Sequence, residues 1–355
     1  MPKENRKSAS CGCGSQLEPA TGIQIEQDTE ASCGLVRSAP AKLTLADRWG
    51  GWKVRWGIGR RRYRVRPGLY AVGKPDRESV VLVTANFKLS FDMLRRELGG
   101  IDAWILVLDT KGINVWCAAG KGTFGTDELI RRIELSGLRD HTSRRTLILP
   151  QLGASGVAAH EVKRQTGFNV VWGPVRARDI KPFLAHGMKA TARMRMVTFS
   201  LAERLAVVPV ELVEAMKYFL LILAAWTLLN LIPGWGSMHR FLLGSAATLG
   251  ALLIGALAVP VLLPWIPVRS FALKGWLIGM LWALGIGIAQ DLGAALLAGS
   301  LLLLPAVSAF LALNFTGSTT FTSQTGVNKE IRLFARPIAI SALAGILLLV
   351  GGSVW

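Results

Sequence analysis

The stretch RTLILPQLGASGVAAHEVKRQTGFNVVWG, residues 145–173, decides the fold class of the first half of this chain. Two short apolar runs, Thr146–Leu149 and Asn169–Trp172, have the length and the β-branched content of strands. Between them a glycine-containing turn leads into residues 157–166, which fit an amphipathic helix. A strand, a helix and a second strand in this order predict a parallel strand pair in an α/β domain.

The same alternation runs from residue 43 to residue 187 and predicts a domain built around a mainly parallel sheet. Residues 1–42 lack sustained periodicity, so we expect a disordered leader there, without a cleaved secretory signal. Further strands are predicted at residues 80–84, 103–108 and 113–117, and further helices at residues 90–98, 126–136 and 177–185.

The second half of the chain has the composition of a membrane protein. Hydrophobic residues make up 51% of the 355 residues, and the mean hydropathy of +0.39 excludes a purely soluble or disordered protein. Crossing a bilayer takes roughly 20 apolar residues. We therefore expect a basic juxtamembrane linker at residues 188–213 and an all-α transmembrane domain at residues 214–355. Its five predicted spans are residues 216–231, 241–263, 271–290, 292–315 and 337–355.

The distribution of Lys and Arg predicts how these spans are oriented. Positively charged connections stay on the cytoplasmic side of a membrane. A cytoplasmic N-terminal domain and an external C-terminus in the inner membrane leave only Arg240 in an outer loop, and much of the formal charge of +18 then faces anionic lipid. The inner loops hold Arg269, Lys274, Lys329, Arg332 and Arg336. Because the few ionisable residues lie at predicted span ends, an anchor is favoured over a transporter.

The segment 48–66 is strongly basic and aromatic. Its eight basic residues alternate with Trp49, Trp52, Trp56 and Tyr63, a pattern able to stack on single-stranded nucleic acid. The favoured alternative is a basic hairpin that leans on the membrane surface or packs its tryptophans on the α/β domain. We expect no nucleic-acid partner, because no recognisable nucleic-acid fold accompanies the segment.

The four cysteines are too few and too unevenly spread for a disulfide framework. Cys11 and Cys13 are able to bind a soft metal, but they lack the other ligands of a closed site and fit an unstructured thiol pair better. His160 has no second histidine at metal-binding spacing and is interpreted as a surface or packing residue.

Residues 111–128, KGINVWCAAGKGTFGTDE, carry the most informative cysteine. Cys117 ends a predicted strand, where open α/β sheets bind ligands, and a glycine-rich turn and a helix that Thr126 can cap follow it. Lys121 and nearby backbone N–H groups favour the thiolate, and small residues beside it leave room for a large flat group. The residues alone support either a nucleophile or metal ligand or a buried, inert cysteine. The glycines of this segment satisfy G-x-G-x-x-G, which alone is weak evidence for a dinucleotide site.

The octapeptide NVWCAAGK resembles the signature of the mercury-methylating corrinoid proteins, whose soluble domain is similar to the corrinoid-binding domain of the corrinoid iron-sulfur protein large subunit. The resemblance extends through residues 48–66, 84–98 and 150–180 and the apolar second half. The matched positions are Asn114, Val115, Trp116, Cys117, Ala118, Ala119, Gly120 and Lys121.

This resemblance implies a Rossmann-like domain that binds a cobalamin-type corrinoid through the octapeptide. Cys117 is then the lower axial ligand of cobalt, tuned by hydrogen bonds from groups such as Asn114 or Trp116. The second loop, with Gln151, Gly153 and Ala154, is expected by its position to meet the corrin or its nucleotide tail; the alternative is an ordinary strand-to-helix turn.

The implied activity is a corrinoid-dependent methyltransferase that passes methyl from methyl-cobalt to Hg(II) and yields methylmercury. Two alternatives stay open: a corrinoid carrier that delivers methyl to another acceptor (the acetyl-CoA pathway, a thiol or arsenic), and a non-enzymatic membrane scaffold that binds lipid or RNA. The implied partners are a ferredoxin-like reductant with two 4Fe–4S clusters, an upstream methyl-donor protein and membrane lipid.

Overall fold

The computed structural model describes residues 18–19, 35–231, 237–322 and 324–352. The chain divides into two compact units. The first comprises Met1–Val54 and Gly59–Met196, and the second comprises Arg55–Ile58 and Val197–Trp355.

The first unit is built on a mixed sheet whose seven described strands lie in the order β1-β2-β3-β5-β4-β6-β7. Only the pair β3 and β5 is antiparallel, and the other neighbours run parallel. The predicted mainly parallel sheet is confirmed. The strands are β1 Glu18–Pro19, β2 Val36–Ser38, β3 Gly68–Val72, β4 Val80–Ala85, β5 Ala103–Leu108, β6 Thr146–Leu149 and β7 Asn169–Trp172.

Helices cover both faces of this sheet. The apolar residues of the helices and strands form two clusters, one on each face of the sheet. Val83 and Leu106 belong to the first cluster, and their strand neighbours Leu82 and Ile105 belong to the second, because successive side chains of a strand point to opposite faces. The first cluster includes α3, α4 and α6, and the second includes α2 and α7. The helices are α1 Leu45–Arg55, α2 Lys88–Glu97, α3 Val115–Gly120, α4 Thr126–Leu135, α5 Leu138–His141, α6 Ala159–Thr166, α7 Ile180–Ala185 and α8 Ala192–Arg195, with single 3-10 turns at Arg60–Arg62, Gln151–Gly153 and Ala177–Asp179.

The basic segment is not a hairpin. It forms α1 and a 3-10 turn. Thr44 and Asp47 exchange hydrogen bonds at the start of α1: the Thr44 N–H donates to Asp47 Oδ2 at 3.0 Å, and the Asp47 N–H donates to Thr44 Oγ1 at 3.1 Å. This reciprocal pairing starts a helix. Gly51 and Val54, three residues apart, form its buried side, which is helical rather than strand spacing.

The second unit is helical, and four of its described helical stretches are long and apolar enough to cross a membrane. They are Met238–Leu262, Phe271–Ala289, Ala294–Phe315 and Thr325–Gly352. The helices of the unit are α9 Leu201–Leu205, α10 Val208–Asn230, α11 Met238–Leu253, α12 Val259–Leu262, α13 Phe271–Ala289, α14 Ala294–Phe315 and α15 Gln324–Gly352, with a π-helical stretch at Ile254–Ala258 and a 3-10 turn at Thr316–Ser318.

The five predicted spans correspond only in part to these helices. The first, residues 216–231, falls mostly in α10, whose first half carries Glu211, Glu214 and Lys217; α10 is not among the four apolar helices. The last begins much earlier than predicted, because Pro337 lies inside α15 rather than at its start. Residues 353–355 lie outside the described part of the chain.

Small residues let α13 and α14 approach closely, as expected for helices in lipid. A side chain at Gly279 would place its Cβ 2.8 Å from Pro305 Cα on α14. At Gly285 and Gly293, by contrast, a side chain would meet no heavy atom within 4 Å.

Lys274 is a buried cation near the start of α13. Its Nζ donates to the carbonyl oxygens of Leu263 at 2.8 Å and Ile266 at 2.7 Å. Leu263 is the C-cap of α12 and Ile266 lies in the turn that follows, so the cation binds carbonyl groups at the place where the helix ends.

Candidate functional site

The candidate site lies at one edge of the sheet. Strands β4, β5, β6 and β7 are parallel, so their carboxyl ends meet at the same edge, where open α/β sheets bind ligands. The loop after β5 leads to α3 and Cys117, and the turn after β6 contains Gln151. Helix α3 packs against that turn.

Asn86, directly after β4, fixes the loop that precedes α3. Its side chain is 1% exposed. Asn86 Oδ1 accepts hydrogen bonds from the N–H groups of Thr110 at 3.1 Å and Gly112 at 2.9 Å and from the Thr110 hydroxyl at 2.9 Å. Asn86 Nδ2 donates to Asp109 Oδ1 at 3.1 Å. One buried amide therefore ties the end of β4 to the whole turn after β5.

This turn is tight and charged. Lys111 and Gly112 both have left-handed backbone, with φ of 59° and 75°. Burial raises the pKa of Asp109. Hydrogen bonds from the Lys111 side chain and N–H, together with the charges of Lys111 and Arg132, lower this pKa by more than burial raises it, so it lies below its ordinary value. The Asp109 N–H donates to Glu128 Oε1 at 2.7 Å, which joins the turn to the first turn of α4.

Cys117 lies in a helix and not in a strand, so the strand predicted at residues 113–117 is wrong. Asn114 caps α3: its Oδ1 accepts a hydrogen bond from the Cys117 N–H at 2.9 Å. Val115, Ala118 and Ala119 are buried, and their spacing of three and four residues is that of a helix face. A good N-cap followed by small residues thus outweighs the apolar character of the run.

The opposite side of α3 is open to solvent. Cys117 is exposed and free, which excludes the buried, inert cysteine. Trp116 is 40% exposed, and Lys121 is exposed. A side chain at Gly120 would meet no heavy atom within 4 Å. The thiol therefore lies on an open, solvent-exposed surface of α3. This surface, the ledge of α3, is formed by Trp116, Cys117, Gly120 and Lys121.

Two glycines bring the loops after β5 and β6 together. A Cβ at Gly153 would lie 2.5 Å from Phe124 Cε1, and a Cβ at Gly156 would collide with the Phe124 carbonyl oxygen and lie 3.1 Å from Ala119 Cα. Thr126 does not cap α4, whose N-cap is Gly125; its hydroxyl instead accepts a hydrogen bond from the Ala158 N–H at 2.9 Å. The two loops form one packed surface.

Gln151 contributes a polar side chain to this surface. Its Oε1 is buried and has no hydrogen-bond partner among the described residues. A buried acceptor without a donor costs about 1–3 kcal/mol, so this atom is suited to receive a donor from a ligand.

The residues predicted from the sequence are thus brought to one edge of the sheet in two segments, Asn114 to Lys121 and Gln151 to Ala154. The supporting residues Asn86, Asp109 and Thr110 were not predicted. The available signal was an asparagine directly after the apolar run of β4, at the carboxyl end of a strand. Cys11 and Cys13 lie outside the described residues. Within the described ranges, no group of three or more His, Cys, Asp or Glu side chains is placed to hold a metal ion.

Residues 59–184 match the model of the family described as CO dehydrogenase/acetyl-CoA synthase delta subunit. The α/β unit is similar to acetyl-CoA decarbonylase/synthase subunits. The gamma subunit of that complex from Methanopyrus kandleri is 34% identical over 122 residues, which is 34% of this chain and 26% of the relative. The gamma subunit from Methanocaldococcus jannaschii is also 34% identical over 122 residues, 34% of this chain and 25% of the relative.

A third gamma subunit, from Archaeoglobus fulgidus, is 32% identical over 123 residues, 34% of this chain and 26% of the relative. The chain spans about a quarter of the length of these relatives. The family match contains both site segments and ends before the helical unit. It supports the expected relationship to the large subunit of the corrinoid iron-sulfur protein, and none of the three names mentions mercury.

Proposed function

We propose that the α/β unit binds a cobalamin-type corrinoid at the ledge of α3 and takes part in methyl transfer. The observation that carries this proposal is the exposed, free thiol of Cys117 beside the open space at Gly120. The residues fit such a group: the thiolate is a soft donor suited to cobalt, and Gln151 offers a buried acceptor that lacks a donor. A bound corrinoid supplies a cobalt atom that carries a methyl group.

The protein residues have distinct roles in this proposal. Cys117 ligates the cobalt through Sγ, and Asn114 holds the Cys117 backbone and so fixes where the sulfur stands. Val115, Ala118 and Ala119 anchor α3 in the core. Trp116 and Lys121 line the ledge, and Gln151, Gly153 and Ala154 lie in the second loop that borders it.

We propose Hg(II) as the methyl acceptor, and methylmercury as the product. The support is the match of the octapeptide, at all eight positions, to the signature of the mercury-methylating corrinoid proteins. Hg(II) is a soft cation, and the Cys117 thiolate would donate electron density to a bound cobalt, which suits methyl transfer to such an acceptor.

A second candidate is a methyl carrier that serves acetyl-CoA synthesis. The printed names of the relatives favour it, since all three are subunits of an acetyl-CoA decarbonylase/synthase complex. The helical unit, which lies outside the matched residues, favours a membrane-anchored protein over a subunit of that kind.

The proposed partners follow from the redox chemistry. Three of the four cysteines lie in the first 33 residues, and Cys117 is assigned to cobalt, so the chain offers no cysteine set for its own iron-sulfur cluster. We therefore propose a separate ferredoxin-like reductant with two 4Fe–4S clusters and an upstream methyl-donor protein.

The proposed location is the inner membrane. Five spans, residues 214–355, anchor a cytoplasmic domain of residues 43–187 through a basic linker at residues 188–213, and the C-terminus is outside. The four apolar helices support membrane insertion. The Lys and Arg distribution supports the orientation.

Visible spectroscopy of the purified chain with bound corrinoid tests the ligand. We expect a cobalt–thiolate spectrum that changes in Cys117→Ala and stays unchanged in Cys33→Ala, a matched cysteine removal outside the octapeptide. A spectrum that is identical in Cys117→Ala and the parent protein would contradict sulfur ligation.

The acceptor is tested separately with isotope-labelled methyl. Methyl-loaded protein and its reductant are given Hg(II) in one reaction, and carbon monoxide and coenzyme A with an acetyl-CoA-forming partner in another. Labelled methylmercury that disappears in Cys117→Ala supports the first candidate. Labelled acetyl-CoA without methylmercury supports the second.

A further inference from the structure

Helix α1 exposes a continuous apolar stripe. Leu45 is 83%, Trp49 59% and Trp52 48% exposed, and their spacing of four and three residues places them on one face of the helix. The two indole rings stack, with centroids 4.9 Å apart and planes at 14°. Side chains of this size are normally buried, so their exposure needs a reason.

The opposite face of α1 is held against α2 by ion pairs. Asp47 accepts hydrogen bonds from Lys88 Nζ at 2.6 Å and from Arg95 at 2.8 Å. Asp92 on α2 binds the same two cations, at 2.7 and 2.8 Å. Val54 is buried on this side as well. The fold therefore holds the indoles outward in a fixed orientation.

The charge around the stripe is of one sign. Asp47 is the only acidic residue between positions 43 and 66, and its carboxylate points at α2. Arg48 and Lys53 flank the apolar stripe on its two sides by their helical positions. Exposed arginines follow at the 3-10 turn Arg60–Arg62. The outer surface of this segment is apolar at its centre and cationic at its margins.

We propose that α1 lies in the headgroup region of an anionic bilayer, with the apolar stripe toward the acyl chains and the flanking cations at the lipid phosphates. Tryptophan is enriched at the membrane interface, and an apolar helix face bordered by Lys and Arg is the pattern of interfacial helices. Such cations are attracted by anionic lipid.

The chain runs directly from this helix into the unit that contains the four apolar helices. Arg55, the last residue of α1, and the next three residues, through Ile58, belong to that unit. There a side chain at Gly57 would place its Cβ 3.4 Å from Val210 Cγ2, at the start of α10. The proposal is independent of the cofactor, and it assigns the cationic surface to lipid rather than to RNA or an acidic protein.

Hydroxyl-radical footprinting of the full chain in nanodiscs tests the proposal without any substitution. The oxidation rates of the tryptophans are measured by mass spectrometry in discs of phosphatidylcholine alone and in discs that also contain phosphatidylglycerol. We expect oxidation of Trp49 and Trp52 to fall severalfold in the anionic discs. Trp116 is the internal control, because it is similarly exposed but lies at the candidate site, and its rate stays constant.

A charge variant tests the role of the cations. Replacing Arg48 and Lys53 by Gln removes the flanking charges and leaves both indoles, and we expect each removal to weaken lipid immersion about fivefold. Equal oxidation of Trp49 and Trp52 in the two lipid compositions overturns the proposal. Protection that appears only after RNA or an acidic protein is added also overturns it.

Discussion

Replacing Asn86 by Ala removes a buried side chain that binds several groups of the loop before Cys117. The variant leaves the Gly112 N–H without its acceptor, the Thr110 N–H keeps only the Leu108 carbonyl oxygen, and Asp109 loses one donor. Each buried group left without a partner costs about 1–3 kcal/mol. Because one N–H loses its acceptor outright and two other groups each lose one of their partners, we expect the loop to lose about 2–4 kcal/mol of local stability.

Hydrogen exchange of the full chain measures this loss locally. A free energy of about 1.4 kcal/mol corresponds to a factor of ten in an equilibrium constant, so amides of residues 109–120 should exchange about 30-fold faster or more. Residues 159–172 should keep their rates. Asn169→Ala is the matched control, since Asn169 is exposed at the start of β7.

Unchanged exchange at residues 109–120 in Asn86→Ala would refute the positioning role. Asn86→Asp provides a second test, because it keeps an acceptor for Thr110 and Gly112 but places a second carboxylate where the amide stood, 3.1 Å from Asp109 Oδ1. Two adjacent carboxylates raise each other's pKa. This variant should therefore be destabilised most at neutral pH and recover as the pH falls to about 5.

Three further predictions concern other parts of the chain. Gly156→Ala places a Cβ against the backbone of Phe124 and Ala119. We expect thermal unfolding of the α/β unit to show that its free energy of unfolding falls by about 3 kcal/mol. Asp47 is raised in pKa by burial but lowered more by its hydrogen bonds, chiefly from Lys88, so its folded pKa is well below the ordinary value. Its contribution is present above the unfolded pKa and is lost as pH falls from about 5 toward 2, and acid titration of Asp47→Asn should lack this component. Lys274→Met leaves two carbonyl groups without their charged donor, and thermal unfolding in detergent should show a loss of about 2–3 kcal/mol.

Each of these three has a control of the same residue type. The methyl group added in Gly120→Ala meets no heavy atom within 4 Å, so this variant should change the free energy of unfolding by less than about 1 kcal/mol. Asp140→Asn removes an exposed carboxylate and should keep the acid sensitivity of the parent protein. Lys217→Met breaks an exposed pair with Glu214 and should be nearly neutral. Equal effects in a variant and its control would contradict the corresponding argument.

The sheet could be predicted from sequence where strands are short, apolar and bounded by turn residues. Strands β5, β6 and β7 have the predicted limits, and β4 is one residue longer. Strands β2 and β3 were missed because of their composition: β2, VRS, has a single apolar residue, and β3, GLYAV, contains Gly and Ala, which are depleted in strands.

The errors in helix prediction have a common cause. Asn114 lies inside the strand predicted at residues 113–117, and Thr44 lies just before the hairpin predicted at residues 48–66. The hydrogen bonds of each start a helix. Apolar or aromatic content was given more weight than these caps. The start of α15 was misplaced for a different reason, since Pro337 is tolerated inside an apolar helix.

The candidate site could be predicted from sequence only as far as its two segments. Cys117 and Gln151 are close to the ends of apolar runs that any parallel sheet would align. The role of Asn86 depends on a loop 23 to 26 residues away in sequence, and no local pattern carries that information.

The cap of α3 has a practical consequence for handling the protein. Asn114 binds the backbone N–H of Cys117, and the sulfur is exposed and free. Chemical modification of that sulfur should therefore leave the backbone structure of α3 intact. Alkylating reagents and oxidants should therefore attack this thiol in protein without cofactor, whereas the proposed function predicts that protein loaded with corrinoid resists them. The yield of carboxymethylated peptide then reports the fraction of molecules that lack the cofactor.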